Sequence, residues 1–472
     1  MKRREFIKTA GMVGGTVIGG NLTMAKGRSL STLFPDSRPN VLLIMTDQQS
    51  ADAMSCRMGS RFISTPAMDS LAARGVSFTC AYTANPLCVP ARTSLFTGQY
   101  PHVTGVQTNA DITIPVAERF RFLGTYFRDA GYDTGYVGKW HLPFPINDIS
   151  IHGLQSVGPI KNNGVDSEIS PFATEFLLRK REHPFFLVTS FVNPHNICEW
   201  ARGDELKDGA VGEPPPVEQC PPAVDNLAPA QDEADIIPLM RRSSQAHPLF
   251  PVGNFDEKKW REYRWAYFRM IEKVDAYIAT ILEALRQSGQ YDNTLIVFTS
   301  DHGDMQGAHG WNQKTVLYDN STRVPFILSA PGMKKAALSE RLVNTGVDLL
   351  PTLCDYAGIA VPEGLPGMSL RPVKGKSVDP RAYIVVQNKM VQGAPVDGEK
   401  PEPGGRMVRS VQYKYCVYDL GKSRESLFDV VRDPGETRNL AGLNEYGNSL
   451  EQHRRYLAEW CRANKDPFTI PQ

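Results

Sequence analysis

Net charge is nearly absent from this chain. Fifty-two Lys and Arg stand against fifty-one Asp and Glu, leaving +1 over 472 residues. That balance gives no reason to expect nucleic acid or an anionic membrane as a partner, although a global sum says nothing against a small anion held in a local basic pocket. Paired cysteines are missing as well. The eight cysteines, at 56, 80, 88, 198, 220, 354, 416 and 461, include no C-x-x-C, which argues against a structural zinc site or a thioredoxin-like centre. A chain of this size does not depend on disulfide staples either. There is no internal repeat, and no run is long and apolar enough to cross a membrane.

What is present is ordinary globular composition, 41% hydrophobic and 22% charged, with length for one large core and a smaller one. Residues 1–25, "MKRREFIKTAGMVGGTVIGGNLTMA", are set apart. A basic start, a short glycine-rich apolar stretch and small residues near Ala25 follow the order of a secretory signal. Arg3-Arg4 before Glu5-Phe6-Ile7-Lys8 also looks like a twin-arginine signal. The expectation is an exported protein, periplasmic or at the cell surface of a bacterium.

Val41 to Met45 is a continuous apolar run, as expected of a strand buried on both faces of a parallel sheet. Runs of the same kind follow at 133–138, 184–192, 294–300 and 323–330, with helical patterns between them. The clearest helix has Trp260, Tyr263, Tyr267, Ile271, Val274, Ile278, Ile281 and Leu285 at three- and four-residue spacing, Asp256 to cap it and Gly289 to close it. Alternating strands and helices predict an α/β domain over 38–370, built on a large, mainly parallel or mixed sheet flanked by helices. From about Arg371 the strand-like segments become short, predicting a C-terminal α/β subdomain over 371–472 with a short antiparallel sheet and a final helix. Residues 201–255, with "EPPPVEQCPP" inside, are proline-rich: a pocket wall or a mobile surface excursion.

In open α/β sheets ligands bind beyond the carboxyl ends of the strands. Asp47 and Gln48 follow the first run, Lys139 and His141 the second, His195 the third, and Asp301 and His302 the fourth. Asp47, Gln48, Asp301 and His302 suit a hard divalent cation, Ca²⁺ with Mn²⁺ as the alternative. Lys139, His141, His195 and Lys314 add two cations and two proton carriers, a set able to bind a compact anion and move protons. His102, Asn109, Arg202 and His247 read as surface residues, with sugar contact as their alternative role.

The stretch "LCVPARTSLFTG" (87–98) carries Cys88, Pro90 and Arg92 at fixed offsets. Together with "GYVGKWHL" and "SDHGD" it resembles the signature of the formylglycine-dependent type I sulfatases of the alkaline phosphatase superfamily. The resemblance covers residues 38 to 330, and "SLFDVVRDPGETRNLA" (426–441) is similar to the family's C-terminal subdomain. It implies that a sulfatase-maturation enzyme oxidises Cys88 to formylglycine before the chain folds, and that the aldehyde hydrate is the nucleophile. The residue derived from Cys88 then joins Asp47, Gln48, Asp301 and His302 at the cation. Arg92 fixes the hydrate and offsets charge, Lys139 and Lys314 neutralise sulfate oxygens, His195 is the general acid and His141 the base. The implied substrate is a sulfate monoester, and export favours a sulfated carbohydrate. Many family members have Asp-Asp where this chain has Asp47-Gln48, and several have Asn at His302. The combination here resembles phosphonate monoester hydrolases and choline sulfatases, so phosphonate or phosphodiester hydrolysis is the alternative. A non-catalytic sulfated-glycan-binding protein on the same scaffold is another.

Overall fold

The computed structural model describes residues 38–162, 164–333, 335–372 and 381–471. The expected export signal at 1–25 lies outside the described residues.

The apolar runs assemble into one eight-stranded sheet. In chain order its strands are β1 (Asn40–Asp47), β2 (Val76–Phe78), β4 (Asp133–Gly138), β5 (Ser156–Ile160), β6 (Phe185–Pro194), β7 (Thr294–Ser300), β8 (Phe326–Ser329) and β9 (Ala337–Ser339). A small ribbon pairs β3 (Ala81–Tyr82) with β10 (Val343–Asn344). The sheet order is β5-β4-β6-β1-β7-β8-β2-β9. The first four runs named from the sequence are thus four adjacent parallel strands, β4-β6-β1-β7. The fifth, β8, runs antiparallel to both its neighbours. An apolar run shows burial but not direction, so the sheet is mixed at that point.

β1 shows why the runs are continuous. It is buried throughout, because both faces of the sheet are covered. Leu42 and Ile44 pack on the side of the Glu257–Gln287 helix, with Tyr263, Ile271 and Val274. Val41, Leu43 and Met45 pack on the opposite side, with Val89 and Phe96 of the Cys88–Thr97 helix and Leu349 and Leu353 of the Thr345–Tyr356 helix. Each such side chain contributes about 1.5–3 kcal/mol relative to exposure. The long helix starts as the sequence predicts: the Asp256 carboxylate accepts from the Lys259 amide at 2.8 Å, and Gly289 follows its end in the left-handed region, φ 71°.

Four antiparallel strands, β11 (Tyr383–Lys389), β12 (Gly404–Ser410), β13 (Tyr413–Tyr418) and β14 (Glu425–Asp429), form the second sheet. Their side chains alternate with period two. Ile384, Val386, Met407, Cys416 and Phe428 join a core that also contains Tyr82, Met305 and Leu317 of the main body. Val385, Val408, Tyr415, Val417 and Leu427 face the other way, onto Leu457 and Trp460 of the Gly447–Asn464 helix. The small sheet is therefore a shared wall. Within residues 201–255, the stretch from Ala230 to Met240 is held against the same wall. Cys220, Ala234, Ile236, Ile237 and Met240 are buried, and the Gln231 and Asp235 amides donate to the Thr437 and Ser423 carbonyls at 2.8 and 2.9 Å.

Candidate active site

Cys88 is the first residue of a helix. Pro90 sits in its first turn, where backbone N–H groups have no intrahelical partner to lose. Arg92 lies one turn further on, on the same face as Cys88. Gly98 closes the helix with φ 68°, a left-handed cap that favours glycine. Leu87, preceding the helix, supplies no side-chain cap. Asn109 does so from a neighbouring loop, its Oδ1 accepting from the Val89 amide at 3.0 Å. The spacing of the motif is thus a helix start with its reactive residue at the positive end of the dipole.

Cys88 is 1% exposed and the ends of the parallel strands close around it. Its Sγ lies 3.2 Å from Lys314 Nζ, 3.2 Å from His302 Nε2 and 3.9 Å from Asp47 Oδ1. His141 and His195 border the Cys88 side chain. Lys314 Nζ also donates to Gln48 Oε1 at 2.7 Å, and Lys139 Nζ forms an ion pair with Asp47 Oδ2. Arg92 turns its guanidinium on the acidic side: Nε to Asp301 Oδ2 at 2.8 Å, Nη2 to Asp47 Oδ2 at 3.6 Å, and Nη1 to the Ser190 hydroxyl and the Lys139 carbonyl. Every residue singled out at the strand ends, together with Cys88, Arg92 and Lys314, belongs to this one cluster, which is buried except at half-buried His141 and His195.

The electrostatics follow from burial among unlike charges. Burial works against ionisation of Cys88, yet Lys139, Lys314 and His302 pull its pKa well below that of a free thiol. Burial likewise opposes the Asp47 carboxylate, and the thiol adds to that, but Lys139, His195 and Lys314 hold it below the ordinary range. For His195, burial and the two lysines push the pKa down, against the pull of Asp47. For His302, burial pushes the pKa down, but Asp301 and the Cys88 sulfur together draw it up.

The donor set suits a divalent cation. Ligand atoms of Asp47, Cys88, Asp301 and His302 lie within 4.8 Å of one another. His302 Nδ1 is 3.0 Å from the Gly303 carbonyl, which fixes Nδ1 as the donor. That leaves Nε2 available as a ligand, 3.6 Å from carboxylate oxygens of Asp47 and Asp301. Gly303 permits this turn, because a Cβ there would lie 2.0 Å from the Asn320 carbonyl oxygen.

Several supporting residues carry weaker signals in the sequence. Asp304, inside "SDHGD", accepts from Gln48 Nε2 at 2.7 Å and from the Tyr263 hydroxyl, so the Gln48 amide presents its oxygen to the site. Asp166 has no motif around it. Strand β6 is irregular against β1 beyond Ser190, which frees backbone donors just before His195. Asp166 takes them, accepting from the Val192 amide at 2.7 Å, the Asn193 amide at 2.8 Å and the Asn193 side chain at 3.0 Å. The possible sugar contacts divide differently. His102 meets Trp460 edge to face and hydrogen-bonds Gln387, and Arg202 pairs with Glu199 and Asp204. All eight cysteines are free thiols.

Comparison with known proteins gives concordant matches. A sulfatase family model matches residues 39–359, and a model of the N-sulphoglucosamine sulphohydrolase C-terminal region matches 307–462. A Delta 4,5-hexuronate-2-O-sulfatase from Bacteroides thetaiotaomicron is 30% identical, covering 91% of this chain and 90% of the relative. A solved 2-O GAG sulfatase is 30% identical with a TM-score of 0.77, covering 91% of this chain and 93% of the other. The phosphonate monoester hydrolase of Agrobacterium radiobacter, 22% identical over 90% of this chain and 96% of its own with a TM-score of 0.68, shares the fold.

Proposed function

The chain belongs to the sulfatase family, and from that premise we propose that it cleaves sulfate monoesters of a carbohydrate through a formylglycine made from Cys88. The observation that carries this reading is the convergence of Cys88, at a helix start, on two carboxylates, an imidazole and two lysines in one buried site. Relatives named for sulfated sugars support the carbohydrate.

In this reading the Cys88 thiol stands where a hydroxyl of the hydrated aldehyde sits in the mature protein. The hydrate supplies a nucleophilic hydroxyl and a second hydroxyl whose deprotonation returns the aldehyde. Serine offers only the first. Asp47, Gln48, Asp301 and His302 hold a divalent cation, Ca²⁺ with Mn²⁺ as the alternative. When bound, it supplies Lewis-acid stabilisation of developing negative charge. Lys139 and Lys314 face the sulfate oxygens in a site from which water is excluded, where such charges act most strongly. His195 protonates the departing alcohol oxygen, and His141 takes the proton of the second hydroxyl. Arg92 serves chiefly by holding Asp301 and Asp47 in place. We read 38–370 as the catalytic unit, 371–472 as its companion and 1–25 as an export signal, placing the protein in the periplasm or at the cell surface. A maturation enzyme acting on Cys88 is the implied partner.

Gln48 and His302 favour one second reading, phosphonate monoester or phosphodiester hydrolysis, since they make the site less anionic than a double-Asp pair. The deciding experiment is the mass of the Cys88 peptide in protein co-produced with a maturation enzyme, followed by matched assays on a sulfate and a phosphonate monoester. Conversion to the aldehyde with preference for sulfate is expected. An intact thiol, or preference for the phosphonate by orders of magnitude, overturns the reading.

A further inference from the structure

Beside the catalytic cluster lies a cleft of about 610 Å³, a size suited to a small ligand. It opens from the residues next to the nucleophile. Asn109, which caps the Cys88 helix, and His141, which borders the Cys88 side chain, both line it. Asn162 lines it too, and its Oδ1 accepts from the Trp140 and His141 amides at 3.1 Å. Its other walls come from two segments, 112–118 and 142–145, with Ile112, Val116, Leu142 and Phe144 among them.

The charge of this cleft differs from that of the cluster beneath it. Among the described residues no Lys or Arg lines it, and apart from His141 its one ionisable side chain is Glu118. The nearby cations are committed elsewhere: Lys139 to Asp47, Lys314 to Gln48 and Cys88, and Arg92 to Asp301. A carboxylate or second sulfate on the substrate, close to the scissile ester, would find no partner here and would meet Glu118. We propose that the cleft receives the alcohol half of the ester, and that this half is an uncharged sugar, so that the scissile sulfate is the substrate's only anionic group near the site. This inference rests on the sulfatase reading and narrows it.

The test compares kcat/KM for a sulfated neutral pyranoside with that for the matching sulfated uronate, sulfate at the same position, using protein with Cys88 converted. A preference for the neutral sugar of at least about 10-fold is expected, the size of one uncompensated charge contact in a partly solvated site. Ile112, 54% exposed at the rim, gives the converse test. In Ile112→Lys the uronate-to-neutral ratio rises by about 10-fold, and Glu118→Gln shifts it the same way by less. Equal or reversed preference in the unmodified protein, with 4-nitrophenyl sulfate still cleaved, overturns this inference and leaves the sulfatase reading standing. Failure to cleave 4-nitrophenyl sulfate or either sugar ester removes both.

Discussion

Asp166 offers the sharpest test of how the site is supported, because its role is visible only in the structure. Its carboxylate accepts from the Val192 and Asn193 amides and from the Asn193 side chain, all in fully buried surroundings. In Asp166→Ala the side-chain donor can turn to Asp208, whose Oδ2 is 3.5 Å away, but the two backbone donors are stranded. At about 1–3 kcal/mol for each unsatisfied buried donor the cost is about 2–6 kcal/mol. Asp166→Asn keeps one acceptor oxygen and loses about half as much. Urea unfolding at pH 7 should therefore rank wild type above Asp166→Asn above Asp166→Ala. Burial pushes the Asp166 carboxyl up to about 7 from 3.8. A raised folded-state pKa means that the unfolded chain ionises first, so this group's contribution is complete below about pH 4 and is lost as pH rises through 7. Asp166→Asn removes that slope. The same clasp aims His195, so the loss of kcat in Asp166→Asn should grow with the pKa of the leaving alcohol, where acid assistance matters most. Both variants unfolding within about 0.5 kcal/mol of wild type, with unchanged leaving-group dependence, would refute the clasp.

Three further outcomes are expected. Cys88→Ser releases no more than one equivalent of alcohol per site and no free sulfate, read by stoichiometry and by a mass increase on the peptide containing residue 88. Cation removal by chelation lowers the thermal midpoint, and returning Ca²⁺ to 100 times its Kd restores about 2.7 kcal/mol; an unchanged midpoint would argue against the cation site. Lys414, buried between Asp319 at 2.8 Å and Glu436 at 2.6 Å, should cost about 3–5 kcal/mol as Lys414→Met at pH 8. The cost should be less at pH 5, where Glu436, pushed up to about 7 by burial, is protonated and one stranded charge is gone.

The cluster was legible in the sequence because parallel strands buried on both faces leave long apolar runs, and the first polar residues after them must gather at one edge. Asp47, Lys139, His195 and Asp301 could be placed together on that ground alone. Direction was not legible for β8, since an antiparallel strand with both faces covered has the same composition as a parallel one. Asp166 was not legible at all. What it supports is an irregularity in β6, and nothing local to residue 166 reports backbone donors freed some 25 residues downstream. The capping role of Asn109 was not legible, because capping from a distant loop leaves no pattern at the helix it caps. The anchoring of residues 230–240 was not legible, since Ile236, Ile237 and Met240 pack on residues from other segments.

The burial of Cys88 also sets a schedule for the protein's own synthesis. Lys314, which closes over the sulfur, is 226 residues later in the chain. At about 5–20 residues per second, ribosomes take about 11–45 s to supply it, and the inner face of the C-terminal sheet arrives later still. During that interval the thiol has no lid. Once the last strands dock, an enzyme acting on Cys88 meets a side chain 1% exposed. On the proposed conversion of Cys88 by a maturation enzyme, the rate of folding sets how many molecules are activated. A variant that folds faster than the maturation enzyme works would accumulate as well-folded, thiol-bearing protein, and slower translation between residues 88 and 314 would raise the active fraction without altering one contact of the finished structure.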